Sequence, residues 1–120
     1  MPSAMSDTLQ DLQARLFRFA QARDWGQFHS PKNLAIALTV ESSELLEIFQ
    51  WMPEEASRSL PDEQRAKAKS EIADVLLYLV QLSSALGIDP VAAAQEKLEL
   101  NEQRYPVELA RGNSKKYNEF

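Results

Sequence analysis

The amino-acid sequence predicts an all-α fold, a four-helix bundle whose protomers assemble as a dimer or a dimer of dimers, on three observations. In the first segment Leu9, Leu12, Leu16, Phe19 and Ala20 recur at helical spacing. Two dipeptides, Ser30-Pro31 and Asp89-Pro90, join a capping side chain to a first-turn proline. Only 3 glycines interrupt 120 residues, and nowhere do apolar and polar residues alternate as a half-buried strand requires.

Each helix has its own start and stop signals. Ser6 or Asp7 can cap the first, predicted to run to about Trp25, where "WGQFHSP" breaks it. Ser30 caps the second, with Pro31 in its first turn, and this helix should extend to about Trp51 before Pro53. A polar connection, "MPEEASRSLP", follows. Pro61 or Asp62 opens the third helix, polar at first, then nearly all apolar from Ile72 to Leu86 and ended by Gly87. That apolar half is expected to be buried on all sides. Asp89 and Pro90 start the fourth helix, which stops at about Arg104 before Pro106. The expected organisation is therefore a flexible 1–6, one helical domain over 7–105, and a tail over 106–120 that is loosely held until a substrate or partner orders it.

Composition narrows the function classes. A net charge of −5 argues against sequence-independent binding to a nucleic-acid backbone, which relies on a surplus of Lys and Arg. A phosphate ligand would have to arrive with a cation. With no cysteine there is no thiolate metal site or disulfide, which suits a reducing cytoplasm, the expected location. The stretch "MPSAMSDTLQ" carries no signal segment, and no apolar run approaches the roughly 20 residues of a membrane span.

The informative anomaly lies in "TVESSELLEIFQW". At about 100° per residue Glu41 falls in line with Leu34, Leu45 and Ile48, with Glu44 flanking. On the third helix Glu71 and Asp74 share a sector with Val75, Tyr78 and Leu82. An E-x-x-E and an E-x-x-D thus both turn inward. Burying isolated carboxylates costs several kcal/mol each unless they are paired or bind a cation. Lys67 and Lys69 are near in sequence but on a more polar turn. Hard divalent cations take oxygen ligands, and Mg²⁺ commonly combines one or two carboxylates with substrate phosphate oxygens. A single E-x-x-E is more often a solvated helix face; its occurrence on two helices favours the metal. A spare carboxylate would hold a second ion or deprotonate an attacking water.

The segments "RDWGQFHSPKNLAIALTVESSELLEIFQW", "SEIADVLLYLV" and "KLELNEQRYPVELARGNSKKY" together resemble the MazG-like all-α nucleotide pyrophosphohydrolases, in particular the dCTP pyrophosphatase branch. The resemblance spans roughly Leu9 to Tyr117. It implies hydrolysis of a nucleoside triphosphate, dCTP or a modified dCTP, between the α and β phosphates to the monophosphate and pyrophosphate. It also implies a homodimer or homotetramer and a role in cleansing the nucleotide pool. By the same resemblance Glu41, Glu44, Glu71 and Asp74 hold one or two Mg²⁺ ions, with Mn²⁺ as a substitute. The chain departs from the family pattern near Leu16 and Phe17, where some relatives carry a histidine.

The remaining candidates surround that centre. Glu44 or Glu47 would take the proton of the attacking water, Glu47 being one turn further along the helix and otherwise a solvated residue. Trp25, His29, Asn33, Trp51 and Tyr78 are the candidates for holding and reading the base, the rings by stacking and the polar groups by hydrogen bonds. Lys97, Asn101 and Arg104 follow at helical spacing, with Tyr105 next, as a face for the phosphates or sugar; Lys115 is a further candidate in the tail. A di-iron carboxylate bundle is excluded, because the single histidine, His29, has no glutamate three residues before it. The competing class is a catalytically silent helical dimer that binds nucleotides or a protein partner.

Overall fold

The computed structural model describes residues 8–120. The expected caps at Ser6 and Asp7, and the segment 1–6, lie outside the described residues. Six α-helices and two 3₁₀ turns are present, with no strand among the described residues. They form two compact units, Met1–Gly87 and Ile88–Phe120.

In the first unit, α1 spans Leu9–Ala22. Its N-cap is Thr8, whose hydroxyl accepts the Asp11 amide at 3.2 Å. It ends three residues before the expected Trp25. Arg23 is the C-cap and Asp24 takes a left-handed φ of 53°, so the chain turns before the tryptophan can join the helix. A 3₁₀ turn over Gly26–Phe28 leads to α2, Pro31–Phe49, where the Ser30 hydroxyl accepts the Asn33 amide at 3.1 Å. The polar connection contains a short helix, α3, Glu54–Ser57, with Pro53 at its N-cap and two glutamates in its first turn. The helix α4 spans Asp62–Ala85 and is closed by Gly87 at φ 67°, a conformation that favours glycine.

Packing in this unit is dominated by α2 against α4, with α1 also on α4. Leu34 and Val80 are the most deeply buried large residues. The inward line of α2 runs through Leu34, Ala37, Leu38, Glu41, Glu44, Leu45, Ile48 and Phe49, all buried or half-buried. One expectation is overturned here. The apolar half of α4 is not buried on all sides: Ile72 is 55% exposed, Leu76 40% and Leu79 42%. The neighbouring helices of one chain cover only part of its circumference, so a second apolar stripe at i, i+4 and i+7 stays open.

The second unit contains α5, Pro90–Arg104, and α6, Val107–Ala110. The Asp89 carboxylate accepts the Val91 and Ala92 amides at 3.0 and 3.1 Å, and α5 ends where expected. The tail folds back onto the end of α5. Tyr105 meets Tyr117 and Phe120 edge-to-face, with ring centroids 6.2 and 5.9 Å apart, and the Arg104 guanidinium sits 4.4 Å over the Tyr117 ring. Asn113 tightens the intervening bend by donating to the Leu109 carbonyl and accepting the Lys115 amide.

Candidate metal centre and adjoining cavity

The carboxylates of Glu41, Glu44 and Glu71 each bring an oxygen within 4.8 Å of the others. The reason is local. Glu41 and Glu44 are on the stripe of α2 that faces α4, one helical turn apart. Glu71 and Asp74 have the same spacing on α4 and are likewise half-buried. Among the described residues, none of the four forms an ion pair with Lys or Arg. One oxygen of Glu41 and one of Glu71, both named Oε2, are buried without a hydrogen-bond partner. Such orphaned acceptors are rare in a folded protein and call for a partner.

Electrostatics follow from that crowding. Burial pushes the Glu41 carboxyl up to about 7; a hydrogen bond shared with Glu44 and the charges of Glu44, Asp74 and Glu71 push in the same direction. Glu71 is also raised, first by burial, then by the charge of Glu44, against a smaller opposing contribution from its hydrogen bond with Glu41. Like charges this close cannot all ionise without a compensating cation. The donor set is all oxygen, which suits Mg²⁺ or Mn²⁺ and not a soft metal. The residues therefore fit a hard divalent ion. Glu47 is exposed, one turn beyond the cluster.

A cavity of about 420 Å³ opens further along the same helices. Gln13, Leu16, Phe17 and Ala20 of α1, His29 and Leu34 around the start of α2, and Gln81, Ser84 and Ala85 of α4 line it. Moving from the acids to this cavity, residue numbers fall on α2 and rise on α4, so the two helices are antiparallel. Leu34 precedes Glu41 by seven residues, which at ~1.5 Å of rise per residue places the cavity roughly 10 Å from the acids along the axis. That interval is comparable to the reach from a nucleobase to its phosphates.

The other expected base-reading residues are distributed unevenly. His29 is half-buried in the cavity wall, with the Trp25 ring 6.3 Å away edge-to-face, and Phe19 stands 5.6 Å beyond Trp25. Asn33 is engaged in the link, donating its side-chain amide to the Phe28 carbonyl at 3.0 Å. Tyr78 is half-buried on α4, one turn past Asp74. Trp51 is 87% exposed just beyond α2 and does not line the cavity. In the second unit Lys97 is exposed, Asn101 and Arg104 are half-buried on one face of α5, Tyr105 sits in the ring cluster, and Lys115 is exposed. Sequence reasoning missed Gln13, Gln81 and Ser84. Their signal was present: Gln81 and Ser84 are polar residues in the apolar run "VLLYLVQLSSAL", and Gln13 adjoins the Leu12–Leu16 face.

The chain matches the MazG-like family over residues 36–120. It is 43% identical over 115 residues to dCTP pyrophosphatase 1 of Mus musculus, a match covering 94% of this chain and 68% of that relative. It is 42% identical to dCTP pyrophosphatase 1 of Homo sapiens, with the same coverage. Its fold is similar to a pyrophosphatase from Archaeoglobus fulgidus DSM 4304, at 36% identity and a TM-score of 0.78, covering 88% of this chain and 99% of that one. By the extent of these matches, and by the helical fold they share, the chain belongs to the MazG-like family.

Proposed function

We propose that this chain is a metal-dependent nucleoside triphosphate pyrophosphohydrolase acting on dCTP or a modified dCTP, with water adding at the α phosphorus and pyrophosphate leaving. The activity class rests on the family and on the pyrophosphatases it resembles. The observation that carries the metal dependence is the convergence of Glu41, Glu44 and Glu71 with two orphaned oxygens among them. Glu41, Glu44, Glu71 and Asp74 are the residues that would hold one or two ions. When bound, a hard divalent cation supplies positive charge that offsets repulsion between an acidic protein and a polyanion and polarises the phosphoanhydride.

The chain's own groups do the rest. Glu44, within the cluster, or Glu47, one turn away, accepts the proton of the attacking water. The cavity holds the base at the distance the phosphates require, with His29 braced against Trp25 in its wall. A second copy of the chain covers the open α4 stripe of Ile72, Leu76 and Leu79, giving a homodimer or homotetramer. Leu76→Glu should then shift the sedimentation coefficient to that of a monomer, and an unchanged coefficient would remove this face from the assembly.

Incubation with Mg²⁺ and a panel of deoxynucleoside triphosphates, resolving products by ion-exchange chromatography, tests the function. Monophosphate and pyrophosphate in equal amounts, with dCTP or a modified dCTP as best substrate and no turnover in EDTA, are expected. Release of orthophosphate alone, or metal-independent turnover, would overturn it.

A further inference from the structure

We propose that Gln27 and Phe19, neither of which lines the cavity, are positioning residues for nucleotide binding: from two sides they hold residues 24–29, which form one of its walls. The inference rests on the pyrophosphohydrolase reading, in which the cavity takes the base, and adds to it what keeps that wall in shape. Asp24, Gly26 and His29 come from this link, whereas every other lining residue comes from α1, α2 or α4. A wall of loop needs bracing that a wall of helix does not. The link starts with a Schellman motif at the end of α1. The Trp25 amide donates to the Ala20 carbonyl and the Asp24 amide to the Gln21 carbonyl, both at 3.0 Å, so Asp24 stands where a left-handed glycine is usual. At φ 53° aspartate is strained relative to glycine, and the conformation persists only if its surroundings impose it.

Gln27 imposes it from within the link. Its side-chain amide donates to the Asp24 carbonyl at 3.0 Å and to the Asp24 carboxylate at 3.1 Å. A carbonyl and a carboxylate only accept, so the nitrogen end of the amide is the one end that fits them both. Phe19 acts from α1. Its ring meets Trp25 edge-to-face at 5.6 Å, and Arg23 holds Phe19 in turn, with its guanidinium 3.8 Å over the ring and donating to the Phe19 backbone carbonyl at 3.0 Å. Packing of Trp25 on Phe19 is what a Schellman motif alone would provide. Here the stack goes one step further, from Trp25 to His29 in the cavity wall, with ring centroids 6.3 Å apart. Gln27 thus fixes the start of the wall and Phe19, through Trp25, its end.

The test uses Gln27→Leu and Phe19→Leu in the full chain and reads dCMP binding by titration calorimetry, KM and kcat for dCTP, and the proton NMR signal of His29. That signal is isolated, because His29 is the single histidine, and it responds to the ring current of Trp25. Each variant should weaken dCMP binding and raise KM by about 5-fold or more, the scale of one lost hydrogen bond or ring contact, with kcat within about 2-fold of wild type because the acids are untouched. The His29 signal should move in both. Arg23→Gln, which leaves the Phe19 ring in place, should weaken dCMP binding by only about 2-fold. A residue that merely stabilises the fold would lower the melting temperature and leave the Kd of the folded chain where it was. Binding of dCMP unchanged in either leucine variant, an unmoved His29 signal, or no dCMP binding by the wild type overturns the brace even if triphosphates are hydrolysed. No turnover of any triphosphate by the wild type, with dCMP bound and that binding weakened in both variants, overturns the enzymatic reading and supports the brace.

Discussion

Two turns of helix separate the acid cluster from the cavity on the α2–α4 pair, and the two places treat polar groups in opposite ways. At the cavity several polar groups are engaged, Ser84 with Val80, Gln13 with Ser84, and the nearby loop held by Ser30 and Asn33, while the side chains of Gln21 and Gln81 make no hydrogen bond among the described residues. At the cluster, Glu41 and Glu71 each keep a buried oxygen with no partner. The contrast teaches that one end is shaped by the chain's own hydrogen bonds, whereas the other leaves acceptors unmet, which is what the proposed cation would satisfy. Preorganised hydrogen bonds favour selectivity, whereas unmet charge favours affinity for a cation. Breaking each end should therefore have a different signature.

The largest effect belongs to the acids. Glu41→Gln and Asp74→Asn should each lower turnover by at least about 100-fold, the scale expected when charge stabilisation at a metal site is removed. Glu41→Gln should also melt higher than the wild type in EDTA at pH 8, because an amide removes one of the crowded negative charges. The comparison breaks if Glu41→Gln melts lower than the wild type while losing activity, since the cluster would then be satisfied without a cation.

The next effect is pH dependence. The folded-state pKa of Glu41, about 7, lies above its ordinary 4.5, so the folded chain retains a proton that the unfolded chain releases over that window. The associated stability is fully present below about pH 4.5 and is lost as pH rises through about 7. Glu71 is raised too and adds in the same direction. In EDTA the melting temperature should fall between pH 5 and pH 8. Saturating Mg²⁺ should raise it more at pH 8 than at pH 5, since ligands compete with protons for the same oxygens. Scanning calorimetry across that range checks both arms, and a flat profile in EDTA would count against a strained cluster.

What could be read from the sequence depended on how local the cause was. Ser30-Pro31 and Asp89-Pro90 marked helix starts correctly because a cap is made within three residues. The acids were legible because helical periodicity alone puts Glu41 on the stripe of Leu34 and Ile48. The end of α1 was not, since Trp25 continues an apolar pattern and the break comes from Asp24 entering a left-handed conformation. The short α3 was overlooked although Pro53 followed by Glu54 and Glu55 is a start signal. The α4 stripe shows a deeper limit: an apolar run declares that Leu76 and Leu79 want covering, but not whether their own chain covers them. The ring cluster of the tail was not legible for a related reason, because Tyr105, Tyr117 and Phe120 meet only after the chain turns back.

The smallest effect separates the two ends most cleanly. Ser30→Ala removes the hydroxyl that caps α2, a loss of about 1 kcal/mol for a helix N-cap. Its influence should stay near the cavity, because Ser30 follows His29 directly and shares the link with the Asn33–Phe28 hydrogen bond. The acids begin more than two turns further along α2, beyond the first turn in which a cap acts. Ser30→Ala should therefore melt a few degrees lower and bind dCMP a few-fold more weakly, on the scale of that cap energy. The Mg²⁺ concentration giving half-maximal stabilisation should be the same as in the wild type. If the metal midpoint moves as much as nucleotide binding, the cluster and the cavity respond as one element, and the division of labour along α2 and α4 is wrong.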